Sequence, residues 1–142
     1  LMERRREIIE MYDKALRPLG IQTLEHYGDD FASTGHLYLT RIPGITEEER
    51  NRIIFNMAEA GIATNVHYKP LPMFTAYKNL GFDIIDYPNA LEMYQNEITL
   101  PLHTLLSNVE VNYITDKLNT AIREVLEIDE IQMGLKHVSQ LL

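Results

Sequence analysis

Two capping boxes constrain this chain more than any other feature. Thr46-Glu47-Glu48-Glu49 and Ser107-Asn108-Val109-Glu110 each place a hydroxyl three residues ahead of a glutamate. In that spacing the hydroxyl accepts the third backbone N–H of a helix, and the glutamate reaches back to the capping N–H. Two helix starts are thereby set, and whatever precedes each of them must be something else. The first helix is expected over Glu47 to Ala60, burying Ile53, Ile54, Met57 and Ala58 and stopping at Gly61. Its three leading acids suit the positive end of the helix dipole. The second carries Val111, Ile114, Leu118, Ala121, Ile122 and Val125 at helical spacing. A third amphipathic pattern covers residues 3 to 17, with Ile8, Ile9, Tyr12, Ala15, Leu16 and Leu19 on one stripe and Pro18 and Gly20 as stops.

Between these helices lie runs of β-formers. Gly35 to Ile42 reads as a central strand, Ile62 to Val66 as a second, and Glu97 to Pro101 as a third that its proline cuts short. Short helices are expected over Phe74 to Leu80, closed by Gly81, and over Asn89 to Gln95 after Pro88. This order predicts an α+β fold, a small antiparallel or mixed sheet with helices mainly on one face. Beyond it, Ile128, Ile131, Leu135, Val138 and Leu142 recur at intervals of three and four, interrupted by Gly134. We read residues 128–142 as a C-terminal helical extension packed on its own domain, with docking on a partner subunit as the alternative. Two heptads are too short for a coiled coil.

Charge narrows the partners. Thirteen basic residues stand against twenty-one acidic ones, a net charge of -8. That average field repels a phosphate backbone, so no nucleic-acid partner is expected. The chain has no cysteine, which removes disulfides and thiolate chemistry and suits a reducing cytoplasm. No apolar run approaches the ~18 residues a bilayer span requires, so no membrane partner is expected. Leu1 is not a natural start, and the charged Glu3-Arg4-Arg5-Arg6-Glu7 has no signal-peptide core behind it. The chain is therefore expected to begin partway through a longer one or to follow a residue left by cloning.

Chemistry concentrates in His67-Tyr68-Lys69-Pro70-Leu71-Pro72. Its prolines enforce an irregular, stiff loop that presents an imidazole, a phenol and an ammonium in succession. A tyrosine hydroxyl and a lysine ammonium suit a diphosphate, and a neutral imidazole suits a sugar hydroxyl. The competing reading is a strand end with incidental polar residues. His26, His36, His67, His103 and His137 lack metal-ligand spacing. We expect His103 to be structural, the triple Arg4 to Arg6 to be a solvated helical face, and Arg41 to point to solvent on the strand face opposite Tyr38. No nucleophile elbow or glycine-rich phosphate cradle occurs.

The run Gly61-Ile62-Ala63-Thr64-Asn65-Val66-His67-Tyr68-Lys69-Pro70-Leu71 resembles the signature of the DegT/DnrJ/EryC1/StrS sugar aminotransferases. Tyr77, Leu80-Gly81, Pro88-Asn89-Ala90 and Ile98-Thr99-Leu100-Pro101-Leu102-His103 are similar to later segments of that family, in its order. Arg5 to Leu16 resembles the helix that joins its two domains, and His36-Leu37-Tyr38 one of its strands. The resemblance implies that residues 1–127 are the C-terminal small domain of an aspartate-aminotransferase-fold enzyme, beginning in the interdomain helix. It further implies pyridoxal 5'-phosphate in the whole protein, an amino group taken from glutamate, and a nucleotide-linked keto-sugar as acceptor in bacterial surface-polysaccharide or glycan biosynthesis. A cytoplasmic homodimer is implied as well. The Schiff-base lysine belongs to a domain outside this chain, so the chain alone is expected to bind no cofactor, to hold no catalytic residue and to be inactive. By the same resemblance His67, Tyr68 and Lys69 face the nucleotide-sugar, although Pro72 stands where the family often has a second histidine. A sugar dehydratase of the same superfamily and a free-standing α+β ligand-binding module are the alternatives.

Overall fold

A computed structural model describes residues 2–127; the expected extension over residues 128–142 lies outside them. The chain opens with α1 (Met2–Leu16), then β1 (Gln22–Thr23), β2 (Tyr38–Arg41) and α2 (Glu47–Glu59). After the proline loop come the short α3 (Thr75–Lys78), α4 (Pro88–Asn96), β3 (Glu97–Leu100) and the long α5 (Asn108–Leu126). Both capping boxes form as expected: Thr46 accepts from the Glu49 N–H and Ser107 from the Glu110 N–H, with each glutamate bonded back to the cap. Such a cap is worth ~1 kcal/mol.

The sheet is antiparallel, in the order β1-β2-β3. The expected central strand is central, but it shrinks to Tyr38–Arg41, and Gly35, in the left-handed region at φ 61°, lies outside it. Tyr38 pairs with Leu100, Leu39 with Thr99, Thr40 with Ile98, and Arg41 with Glu97. The strand alternation then sorts the faces. Tyr38, Thr40, Ile98 and Leu100 are buried against the helices, whose core residues include Ile8, Tyr12, Ile53, Met57, Val111 and Leu118. Leu39, Arg41, Glu97 and Thr99 occupy the other face. The α+β layer with helices mainly on one face is therefore present, and its core stripes are those expected of α1 and α5. In α2 the buried positions are Ile53, Met57 and Arg50, while Ala58 is exposed and Ile54 only half-buried.

The expected strand over Ile62 to Val66 does not form a ladder. Only Asn65 bridges β3, exchanging two hydrogen bonds with Thr99 at 3.2 and 2.8 Å. The next donors are taken by side chains: the Val66 N–H by the Asn65 Oδ1 at 2.8 Å, and the His67 N–H by the Glu97 Oε2 at 2.9 Å. A ladder cannot continue once its N–H groups are spent locally.

Within the arginine run Arg4 and Arg6 are paired, while the Arg5 Nε is buried without a hydrogen-bond partner among the described residues. Arg4 donates to Glu7 at 2.8 Å and to the Leu106 carbonyl at 2.6 Å, tying α1 to the loop before α5. Arg6 donates to Glu10 at 3.0 Å and lies over the Tyr27 ring.

Candidate functional site

The free face of the sheet is the floor of a cavity of about 380 Å³. Leu39, Arg41 and Glu97 form that floor, β1 supplies Gln22, Thr23 and Leu24 at one side, and α4 supplies Ala90, Met93 and Tyr94 at the other. The proline loop closes it with His67, Tyr68 and Pro70. The volume falls within the range of small-molecule sites, and the lining joins apolar walls to a few convergent polar groups.

Of the loop residues expected to bind, the fold brings His67 and Tyr68 to the cavity together. Their rings meet edge-on at 4.6 Å across a cis peptide bond. Tyr68 is 71% exposed, its phenol open to solvent. Lys69 does not line the cavity; its ammonium lies over the Phe74 ring, 5.4 Å from the centroid. Successive loop residues point different ways, and the third turns outward.

Arg41, expected in solvent, is half-buried in the cavity. Asn96 Oδ1 accepts from its Nε at 2.9 Å and Glu92 from its Nη2 at 3.2 Å. Its Nη1 has no partner among the described residues. The reason is the strand register: Arg41 stands opposite Glu97 on the face that α4 and the loop enclose. Glu97 and Thr99 were not singled out in the sequence at all. Alternation along β3 puts them on one face, but only the arrival of the loop makes that face a site. His103 is exposed and lies outside the cavity lining.

Beneath the loop is a buried polar chain. The His67 Nδ1 lies 2.9 Å from the Thr99 Oγ1, and the Thr99 hydroxyl donates to Glu97 Oε1. Glu97 Oε2 accepts the His67 N–H. Glu97 is only 4% exposed, and burial pushes its carboxyl above the ordinary value; the two donated hydrogen bonds and the nearby His67 and Arg50 pull it partly back. The buried Arg50 guanidinium lies over the Tyr94 ring, and its Nε and Nη1 have no hydrogen-bond partner.

This sets a pH dependence. With the folded value above the unfolded 4.5, the folded state binds the extra proton between the two. The stabilisation from Glu97 is therefore complete below about pH 4.5 and is lost as pH rises through the folded value. Urea midpoints measured across that window should fall with rising pH in the parent relative to Glu97→Gln. Parallel pH profiles for the two proteins would refute the assignment.

Pyridoxal phosphate needs a lysine within reach and a phosphate cradle. The cavity contains no lysine, and Lys69 and Lys117 lie over Phe74 and Tyr113 instead. The lining of this cavity does not fit that cofactor as its holder. Nor do they include a cluster of three or more histidines and acids able to hold a metal ion. No described helix is long and apolar enough to cross a membrane.

Residues 1–119 match the DegT/DnrJ/EryC1/StrS aminotransferase family. The chain is 26% identical over 132 residues to the spore coat polysaccharide biosynthesis protein SpsC of Bacillus subtilis, covering 89% of this chain and 32% of that protein. It is 27% identical over 124 residues to the UDP-4-amino-4,6-dideoxy-N-acetyl-beta-L-altrosamine transaminase of Campylobacter jejuni, covering 87% and 33%. Among solved structures it superposes on Spr1654 of Streptococcus pneumoniae, classed as a sugar aminotransferase, in its PLP form. There the TM-score is 0.85 at 51% identity, over 88% of this chain and 32% of that one. The chain thus spans about a third of the length of the proteins it matches.

Proposed function

We propose, for a chain that belongs to the DegT/DnrJ/EryC1/StrS aminotransferase family, that it forms the C-terminal small domain of a pyridoxal-phosphate enzyme acting on a nucleotide-linked keto-sugar. The amino group would come from glutamate and the product would enter surface-polysaccharide or glycan biosynthesis. Support comes from the names of the matched proteins, a polysaccharide biosynthesis protein and a UDP-sugar transaminase. The cofactor, which supplies the electron sink for amino transfer, would be held by residues outside this chain in a cytoplasmic homodimer. The small domain would contribute one wall of the substrate cleft.

The observation that carries the reading is the composition of the cavity. A pyranose has an apolar C–H face and a rim of hydroxyls, and Leu39 and Met93 offer apolar wall beside the polar groups of His67, Tyr68 and Arg41. Arg41 Nη1 remains available for a phosphate oxygen, as guanidinium groups commonly are in phosphate recognition. Among the loop residues, His67 and Tyr68 take the sugar side and Lys69, directed outward, the nucleotide side.

In the whole enzyme, His67→Ala should slow the half-reaction with the keto-sugar about tenfold, the worth of one hydrogen bond of ~1.4 kcal/mol. The glutamate half-reaction should keep its rate. Equal losses in both halves, or none in the sugar half, would overturn the assignment.

A further inference from the structure

We propose that Glu97 and Thr99 are positioning residues that fix His67 with its proton on Nδ1, leaving Nε2 as a bare hydrogen-bond acceptor for a substrate hydroxyl. The inference deepens the sugar-binding reading and rests on it for the identity of the substrate. The Nδ1 proton itself follows from the hydrogen bonds and does not depend on that identity.

Thr99 has one hydroxyl proton and directs it to Glu97 Oε1. It has none left for His67. The contact of 2.9 Å between Thr99 Oγ1 and His67 Nδ1 must then be donated by the imidazole. Glu97 is held as an acceptor on both sides, because its second oxygen takes the His67 main-chain N–H at 2.9 Å. Burial raises the value at which this carboxyl ionises, and the two donated hydrogen bonds with the His67 and Arg50 charges offset that in part. One carboxylate thus grips the backbone of His67 directly and its ring through Thr99, setting both position and proton. Oriented histidines in metal sites and catalytic triads are held by the same kind of second contact.

The other ring nitrogen has no partner among the described residues, and His67 lines the cavity. A neutral imidazole with a bare Nε2 accepts from O–H and N–H groups and repels phosphate oxygens, which are acceptors themselves. Recognition at this point is then of a hydroxyl, and the phosphates fall to Arg41 or Lys69.

The test is nitrogen NMR of His67 in the ¹⁵N-labelled chain at neutral pH, which reads the tautomer directly. The expected spectrum has a pyrrole-type shift at Nδ1 and a pyridine-type shift at Nε2. Thr99→Val, nearly isosteric, should release the ring and move both shifts toward those of a free histidine, while Thr99→Ser restores the parent pattern. In Glu97→Gln the amide can donate to Thr99, whose hydroxyl then donates to Nδ1, so the two shifts should exchange. Nε2–H in the parent, or a Thr99→Val spectrum identical to the parent, would overturn the proposal. The parent spectrum decides the matter even if a variant fails to fold. A sugar half-reaction indifferent to His67→Ala would defeat the functional reading while leaving this spectrum unchanged.

Discussion

Tyr12→Ala should cost this domain about 3–5 kcal/mol, the range for removing a buried aromatic ring. Tyr12 is fully buried in α1 and ties three parts of the fold together. Its ring lies 4.7 Å from that of Tyr38, joining the helix to the central strand. Its hydroxyl donates to the Pro101 carbonyl at 2.7 Å, joining the helix to the turn after β3. Burial pushes the phenol's ionisation upward, so it remains a donor. Alanine leaves a ring-sized cavity and an unpaired carbonyl. Tyr12→Phe isolates the second effect and should cost about 1 kcal/mol. For a domain of ordinary stability, ~5–15 kcal/mol, the alanine variant loses about a fifth or more, readable as a lower urea midpoint with an unchanged slope. An alanine variant within ~1 kcal/mol of the parent would show that Tyr12 does not hold these elements together.

Why some of this was legible in the sequence and some was not follows from the range of each interaction. Tyr12 fell on the helical stripe with Ile8, Ile9 and Leu16 because a period of 3.6 residues is local. That its hydroxyl would meet Pro101, 89 positions away, is not. The capping boxes are complete within four residues, and both form. Ile62 to Val66 has the composition of a strand, yet two side chains take the N–H groups a ladder would need, Asn65 that of Val66 and Glu97 that of His67.

The cavity follows the same rule. His67 and Tyr68 stood out because they are adjacent in the chain and fenced by prolines. Glu97, Thr99 and Arg41 reach the same cavity region only through strand register and the return of the loop from α2. Arg41 looked solvent-facing because alternation tells which residues share a face, not whether a helix such as α4 will cover it. Lys69, adjacent to Tyr68, shows the converse: proximity in sequence did not bring its ammonium to the cavity.

Gly35 lies outside the strand it was expected to open, which begins three residues later at Tyr38. It marked the start of a strand in the sequence, as glycines often do. In the fold it is buried, lies at φ 61° and passes close to α1. A Cβ there would sit 3.1 Å from Ile9 Cδ1 and 3.3 Å from Arg5 Cβ. Its N–H donates to Ser33 Oγ at 3.0 Å, and the same oxygen contacts His26 Nδ1 at 3.1 Å, so the turn cannot swing away without breaking both contacts. Two costs therefore add on substitution. The left-handed conformation costs an L-residue ~1–2 kcal/mol, most for a β-branched one, and forced overpacking costs ~1–3 kcal/mol. Gly35→Val should accordingly destabilise the domain by about 2–5 kcal/mol, measured from urea midpoints. Gly35→Ala, smaller and unbranched, should fall between valine and the parent. Because the strain acts where α1 meets the approach to β2, hydrogen exchange at Tyr38 to Arg41 should quicken in the valine variant. A valine variant as stable as the parent would mean that the turn relaxes freely.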